Sequence, residues 1–250
     1  VTRIADLSGE QLQQVLDTLR GADSVELKLT VLQDRRAEVT RALGIDPIDA
    51  QIRQVFFFDT PGLDLNSAGV VVRARRRQSD SGDSVVKIRP VEPADLSEDL
   101  RADPEFGVEV DAMPGGYVCS ASFKGSVDNA TIKDAVAGEL RLRKLFSKRQ
   151  RAFFREHAPE DLEIDDLEVL GPIPTLRVKF SSEGYHRPMV GELWLYPDGS
   201  QVVELSTKAP PPEALHAALE WRAFLETRGI DVSGEQQTKT KTALEFFTRS

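Results

Sequence analysis

The chain has 250 residues, 40% hydrophobic and 29% charged, which is enough apolar material for a sizeable buried core. Its formal net charge of -9 repels nucleic acid and anionic lipid at long range, so neither DNA nor a membrane surface is expected as a partner. The single cysteine, Cys119, excludes an intramolecular disulfide and fits a reducing, cytoplasmic setting, and no apolar run reaches membrane-spanning length.

In chain order, a first helix carries Leu12, Val15, Leu16 and Leu19 and stops at Gly21. Val25 to Leu32 alternates: Val25, Leu27, Leu29 and Val31 share one face, and Glu26, Lys28 and Thr30 share the other. Asp34 to Leu43 reads as a helix ended by Gly44. Ile52 to Phe58 reads as a strand that enters a turn at Asp59-Thr60-Pro61-Gly62. Gly69 to Arg77 sets Val70, Val72 and Ala74 against Arg73, Arg75 and Arg77. Ser84 to Arg89 repeats the pattern with Lys87 and Arg89, and Phe106 to Asp111 sets Val108 and Val110 against Glu109 and Asp111. Thr131 to Phe146 reads as one helix, followed by a basic strand with Lys148, Arg149 and Arg151. Strands are expected at Ile164 to Leu170, Leu176 to Phe180, Val190 to Tyr196 and Gln201 to Leu205. A helix starts at Pro210-Pro211-Pro212, and a short last one spans Thr242 to Thr248. No βαβ rhythm and no glycine-rich phosphate loop appears. The fold class is therefore α+β, one domain over 1–250, with a mainly antiparallel sheet, closed or nearly closed, and helices packed outside.

The functional signal is in the charged faces. Residues at i and i+2 of a strand point the same way. Arg73 with Arg75, Lys87 with Arg89, and Arg149 with Arg151 form basic pairs; Glu109 with Asp111 forms an acidic pair; Glu26 and Lys28 form a mixed one. Arg177 and Lys179 form a weaker basic pair. One such pair fits a solvated face. Basic pairs recurring on several strands would repel one another on an open sheet, and they become tolerable around a bound anion. Arginine forks and lysine point charges suit phosphate. Carboxylates beside them make sense with a divalent cation bridging to phosphate oxygens. The three histidines and one cysteine have no zinc-like spacing, so a metal here would be held by carboxylates, as Mg²⁺ or Mn²⁺ is.

These stretches, taken in order, resemble the CYTH superfamily, the triphosphate tunnel metalloenzymes. The family's Glu-x-Glu-x-Lys strand is similar to Ser24-Val25-Glu26-Leu27-Lys28. Its aromatic turn and basic strand resemble Phe57-Phe58-Asp59-Thr60-Pro61 and Gly69-Val70-Val71-Val72-Arg73-Ala74-Arg75. Lys87-Ile88-Arg89, Glu109-Val110-Asp111, Lys148-Arg149-Gln150-Arg151 and Glu204-Leu205-Ser206, with Lys208 beyond, continue the likeness. It runs from about Ser24 to Lys208.

The resemblance implies an eight-stranded antiparallel β tunnel. Alternation alone also fits an open sheet, so closure is part of what the resemblance adds. It further implies Mg²⁺ or Mn²⁺ held by Glu26, Glu109, Asp111 and Glu204. Triphosphate or polyphosphate would be bound by Arg73, Arg75, Lys87, Arg89, Arg149 and Arg151. Glu26 and Lys28 are the catalytic candidates, with Lys28 contacting phosphate or orienting water; a plain salt bridge to Glu26 is its other reading. Two family glutamates are Ser24 and Ser206 here, and serine brings no negative charge to a metal. The expected activity is metal-dependent triphosphate hydrolysis; class IV adenylate cyclisation and noncatalytic polyphosphate or nucleotide binding are the alternatives. Lys239 and Lys241 are candidates for one tunnel mouth. Nothing in the pattern specifies an oligomeric state.

Overall fold

In β1 (Ser24–Val31), Val25, Leu27, Leu29 and Val31 are buried while the residues between them are half-buried. Both faces of this strand are therefore covered, one by dry packing and one by a polar interior. The computed structural model, which describes residues 9–232, 243, 244, 246 and 247, repeats this arrangement around a closed barrel. The other strands are β2 (Gln51–Asp59), β3 (Val70–Arg77), β4 (Gly82–Ile88), β5 (Phe106–Met113), β6 (Gly116–Val127), β7 (Glu168–Ser182), β8 (Tyr185–Leu195) and β9 (Gln201–Ala209). Their order is β1-β5-β6-β4-β3-β2-β7-β8-β9, and β9 returns to β1. Every pairing is antiparallel except β1 with β5.

The barrel thus has nine described strands rather than eight, all but one junction antiparallel. The strand without a sequence signal is β6. Cys119 to Phe123 are all buried, and Ser120 and Ser122 occupy one face where an apolar-polar rhythm would otherwise show. Of the strand expected at Ile164 to Leu170, Ile164–Asp166 is a 3-10 turn; from Glu168 it joins the strand expected at Leu176 to Phe180 as β7, with an irregularity opposite Val55 and Phe57 of β2 between them. The expected turn after β2 is present. The Asp59 carboxylate accepts from the backbone N–H groups of Thr60, Leu65 and Asn66 at 2.8, 2.9 and 3.0 Å.

The helices are α1 (Gly9–Arg20), α2 (Arg36–Leu43), α3 (Asp64–Ser67), α4 (Glu98–Arg101), α5 (Asn129–Val136), α6 (Lys148–His157) and α7 (Ala214–Thr227). The outward apolar faces of the strands and the inner faces of these helices share one core, which includes Leu29, Val72, Val86, Phe123, Phe153, Phe154 and Leu225. None of the described helices is long and apolar enough to cross a membrane. The helix expected over Thr131 to Phe146 stops early: α5 ends before Gly138, which has φ +80°, and Leu142–Leu145 forms a separate 3-10 turn. Of the last expected helix, 243, 244, 246 and 247 are helical; Lys239 and Lys241 lie outside the described residues.

The basic strand expected at 148–151 is instead the start of α6. Ser147 and Gln150 form a capping box: Ser147 Oγ accepts from the Gln150 N–H at 3.2 Å, and Gln150 Oε1 accepts from the Ser147 N–H at 2.8 Å. On a helix, residues two apart are rotated by about 200° and no longer share a face. Arg149 pairs with Asp103, and Arg151 Nη1 donates to the Phe146 carbonyl at 2.5 Å. Gln150 itself is fully buried and donates from Nε2 to the Ser84 and Phe123 carbonyls at 3.0 and 3.3 Å, tying α6 to β4 and β6. Gln150→Leu should therefore cost about 2 kcal/mol in urea unfolding, since it leaves buried acceptors unpaired and removes half of the cap. A loss below about 0.5 kcal/mol would show that this bridge is not structural.

Candidate functional site

The face of each strand turned away from the helices lines the barrel interior. β1 contributes Glu26 and Lys28, and its parallel neighbour β5 contributes Glu109 and Asp111, in a register that sets Ser24 opposite Glu109 and Glu26 opposite Asp111. Oxygens of Glu26, Glu109 and Asp111 come within 4.8 Å of one another, which is the spacing of ligands around one cation. Lys28 Nζ lies 2.8 Å from Asp111 Oδ1 and 3.2 Å from Glu26 Oε2, and Lys87 Nζ lies 3.4 Å from Asp111 Oδ2. Lys208 from β9 pairs with Glu109.

The electrostatics follow from this crowding. Burial alone would lower the Lys28 pKa, but Asp111, Glu26 and Glu204 outweigh it and hold the ammonium above its ordinary range. Burial would likewise raise Asp111, yet Lys87 and Lys28 hold its carboxyl well below the usual carboxylate range. For Lys87, burial prevails over Asp111 and the pKa is lowered. Glu109 is lowered because Lys208 and Lys87 outweigh burial and the neighbouring Asp111.

A second, arginine-rich group lines the same interior. Arg73, Arg75 and Arg77 of β3 converge on Asp83 of β4, at 3.7, 2.8 and 3.6 Å. Arg53 of β2 and Arg177 of β7 converge on Glu192 of β8, at 3.8 and 3.4 Å. Arg73 is pushed down to about 10, first by burial and then by Arg75, and Arg53 is pushed down to about 10 by burial, Arg75 and Arg177. Arg73 Nε is buried without a hydrogen-bond partner. Both guanidiniums stay charged at neutral pH, so this group holds more positive charge than its two carboxylates balance. Arg73 also feels Glu109, which links the arginines to the acidic group. Arg89, just past β4, is lowered by burial against the pull of Asp111.

Among the expected site residues, Glu26, Lys28, Arg73, Arg75, Lys87, Arg89, Glu109, Asp111 and Glu204 all belong to the interior. Glu204 is buried beside Glu192 in the β8–β9 register and acts on Lys28, but it is not one of the three converging carboxylates. Arg149 and Arg151 lie on α6, outside the barrel. Arg53, Arg77, Asp83 and Glu192 are the interior charges that the sequence pattern does not single out: Arg53 and Glu192 are lone charges beside apolar runs, Asp83 sits in a Ser/Gly stretch that reads as a turn, and Arg77 ends an arginine run. The usable signal was same-strand parity: Arg77 with Arg73 and Arg75 on β3, and Asp83 with Lys87 on β4.

No family model matches the chain, and no curated protein matches it in sequence. Solved structures do match in three dimensions. One is a candidate adenylate cyclase from Bacillus halodurans, at 15% identity and a TM-score of 0.62, covering 88% of this chain and 97% of that one. Another is the candidate adenylyl cyclase HpAC1 from Hippeastrum, described as revealing a dominant triphosphatase activity. It is 18% identical, with a TM-score of 0.64, and covers 88% of this chain and 95% of its own. The chain shares the fold of these solved structures, a closed β barrel with helices outside. At these identities the likeness is one of fold, so the activity must be argued from this tunnel's own residues.

The three converging carboxylates fit a hard divalent cation. They are all-oxygen donors, their oxygens approach within 4.8 Å, and no histidine or cysteine belongs to the group. A second apolar cluster packs Val55, Phe57, Val71, Ile173, Trp194 and Tyr196 with Ala243 and Leu244. The rings of Phe57 and Trp194 stack on each other at 6.3 Å.

Proposed function

We propose that this protein is a divalent-metal-dependent triphosphatase of the CYTH superfamily, acting on inorganic triphosphate or a related polyphosphate inside its tunnel. The observation that carries the reading is the pairing of a three-carboxylate cluster with an arginine group too positive for its own acids, in one enclosed interior. Arg73, Arg75, Lys87 and Arg89 would take phosphate oxygens, joined by Arg53 and Arg177, and Arg73 Nε, which has no protein partner, offers a donor to a bound anion. Glu26, Glu109 and Asp111 would hold Mg²⁺ or Mn²⁺, with Glu204 beyond them. Such an ion supplies charge neutralisation and Lewis acidity to the phosphate chain.

Lys28 keeps its proton through the neutral range, so it serves as a donor to phosphate or to the attacking water and not as a base. Glu26, 3.2 Å from Lys28, is the carboxylate placed to orient that water. Phe57 and Trp194 are buried and stacked on each other, so neither ring offers a free face to a nucleobase. This favours an inorganic substrate over a nucleotide.

The test is phosphate release from inorganic triphosphate with Mg²⁺, with Mn²⁺ and with chelator. Release with either ion and none with chelator is expected, and ATP should give no cyclic AMP. Binding without release would make the protein a polyphosphate binder, and cyclic AMP formation would make it a cyclase.

A further inference from the structure

Ser24 and Ser206 stand where the resembled family carries glutamates, and both hydroxyls turn toward the acidic cluster. Ser24 Oγ donates to Glu109 Oε1 at 3.3 Å, and Ser206 Oγ donates to Glu26 Oε1 at 3.0 Å. The two serines come from different strands, β1 and β9, on either side of the cluster. Ser206 is 4% exposed, so its hydroxyl has little water to turn to.

A carboxylate has about four lone-pair sites, so a hydroxyl bonded to one oxygen fixes the group's rotation and leaves other sites for an ion. A neutral donor does this without adding charge. Only three carboxylates converge, and Lys28, Lys87 and Lys208 share their oxygens, which leaves ligand sites for one ion and not for two. Glu204, the next carboxylate of the tunnel, lies outside the converging oxygens.

We infer that Ser24 and Ser206 are positioning residues that aim Glu109 and Glu26, and that the cluster they frame takes one divalent ion per chain. The two serines are thus a neutral frame for the metal ligands and not a gap in the ligand set. This rests on the metal assignment under the proposed function and extends it to stoichiometry and to two residues outside the ligand set.

The experiment is Mn²⁺ binding to the substrate-free protein, followed by loss of the free-ion electron paramagnetic resonance signal and by calorimetry. One Mn²⁺ per chain is expected. Ser24→Ala and Ser206→Ala should each weaken binding by about 10-fold, as loss of an outer-shell orienting bond does, and Ser206→Thr should restore it. Circular dichroism should be unchanged in all three variants, which separates aiming from folding. Alanine variants that bind Mn²⁺ as tightly as the parent, or two ions in the parent, would overturn the inference. A parent that binds no Mn²⁺ would overturn both the inference and the metal assignment. Serine-dependent binding of one ion by a protein that releases no phosphate would leave this inference standing and overturn the proposed hydrolysis.

Discussion

Replacing Arg73 and Arg75 together with alanine is expected to lower phosphate release from inorganic triphosphate by about a thousand-fold while leaving the fold intact. A hydrogen bond to a charged partner contributes about 1.5–3 kcal/mol, and two such contacts at a dry site give a loss of that size. Stability should not follow activity. Arg73 is pushed down to about 10 by burial and by Arg75, which means that the folded state holds these charges against resistance. Asp83 keeps Arg77 at 3.6 Å in the double variant. The urea midpoint is therefore expected to hold or rise, the exchange of stability for function that binding sites show. Measuring kcat/KM beside urea unfolding separates the outcomes. A tenfold loss or less would mean that phosphate is bound elsewhere, and a collapse of both quantities would mean that the arginines are structural.

Asp111→Asn is expected to abolish metal-dependent turnover and to cost about 3 kcal/mol of stability at neutral pH. Asp111 is 4% exposed and faces both Lys28 and Lys87. Removing its charge leaves the buried Lys87 ammonium facing a neutral amide and Lys28 paired with Glu26 alone, the situation that makes a broken buried pair costly. The pH dependence has a definite sign. The folded Asp111 pKa is depressed, so its contribution is present above the unfolded value near 4 and is lost as pH falls through the lower folded value. The folded Lys28 pKa is raised, so its contribution is present below the unfolded value near 10.4 and is lost as pH rises beyond it. The stability gap between parent and variant should be flat between about pH 5 and 9 and should narrow on acidification below about pH 4. A gap that stays constant through the acid range would show that Asp111 is not held as a buried anion.

Most of the tunnel was legible in the sequence because a two-sided strand leaves a period-two record. Val72 to Arg75 shows it most clearly: Val72 and Ala74 alternate with Arg73 and Arg75, and the structure puts the first pair in the core under the helices and the second in the tunnel. The record fails where the inner face is not charged. In β6, Ser120 and Ser122 face the interior with small hydroxyls, and the strand passed unread. The record misleads where another local rule competes. Arg149 and Arg151 keep the strand-like spacing, but Ser147 and Gln150 nucleate a helix through their reciprocal bonds, and the spacing loses its meaning. The third shortfall is pairwise. Asp83 and Glu192 matter because of the arginines they face across strands 6 to 139 residues distant, and no window along the chain contains both partners of Arg53 with Glu192.

The parallel junction between β1 and β5 has a consequence for how the protein comes into being. β1 is wedged between β5 and β9, so its two neighbours lie far along the chain, with Glu26 opposite Asp111 on one side and Lys208 on the other. Neither contact is local, and pairings of this separation form late and slowly. Lys28 meets its counter-charge only after β5 has docked, and Glu26 meets the Ser206 hydroxyl only after β9 has closed the ring. On the ribosome, a chain whose β9 has not emerged carries the acidic residues without the geometry that joins them. A nascent chain or a fragment ending before β9 therefore has the three carboxylates in its sequence but lacks the Ser206 hydroxyl and the Lys208 ammonium that bear on Glu26 and Glu109.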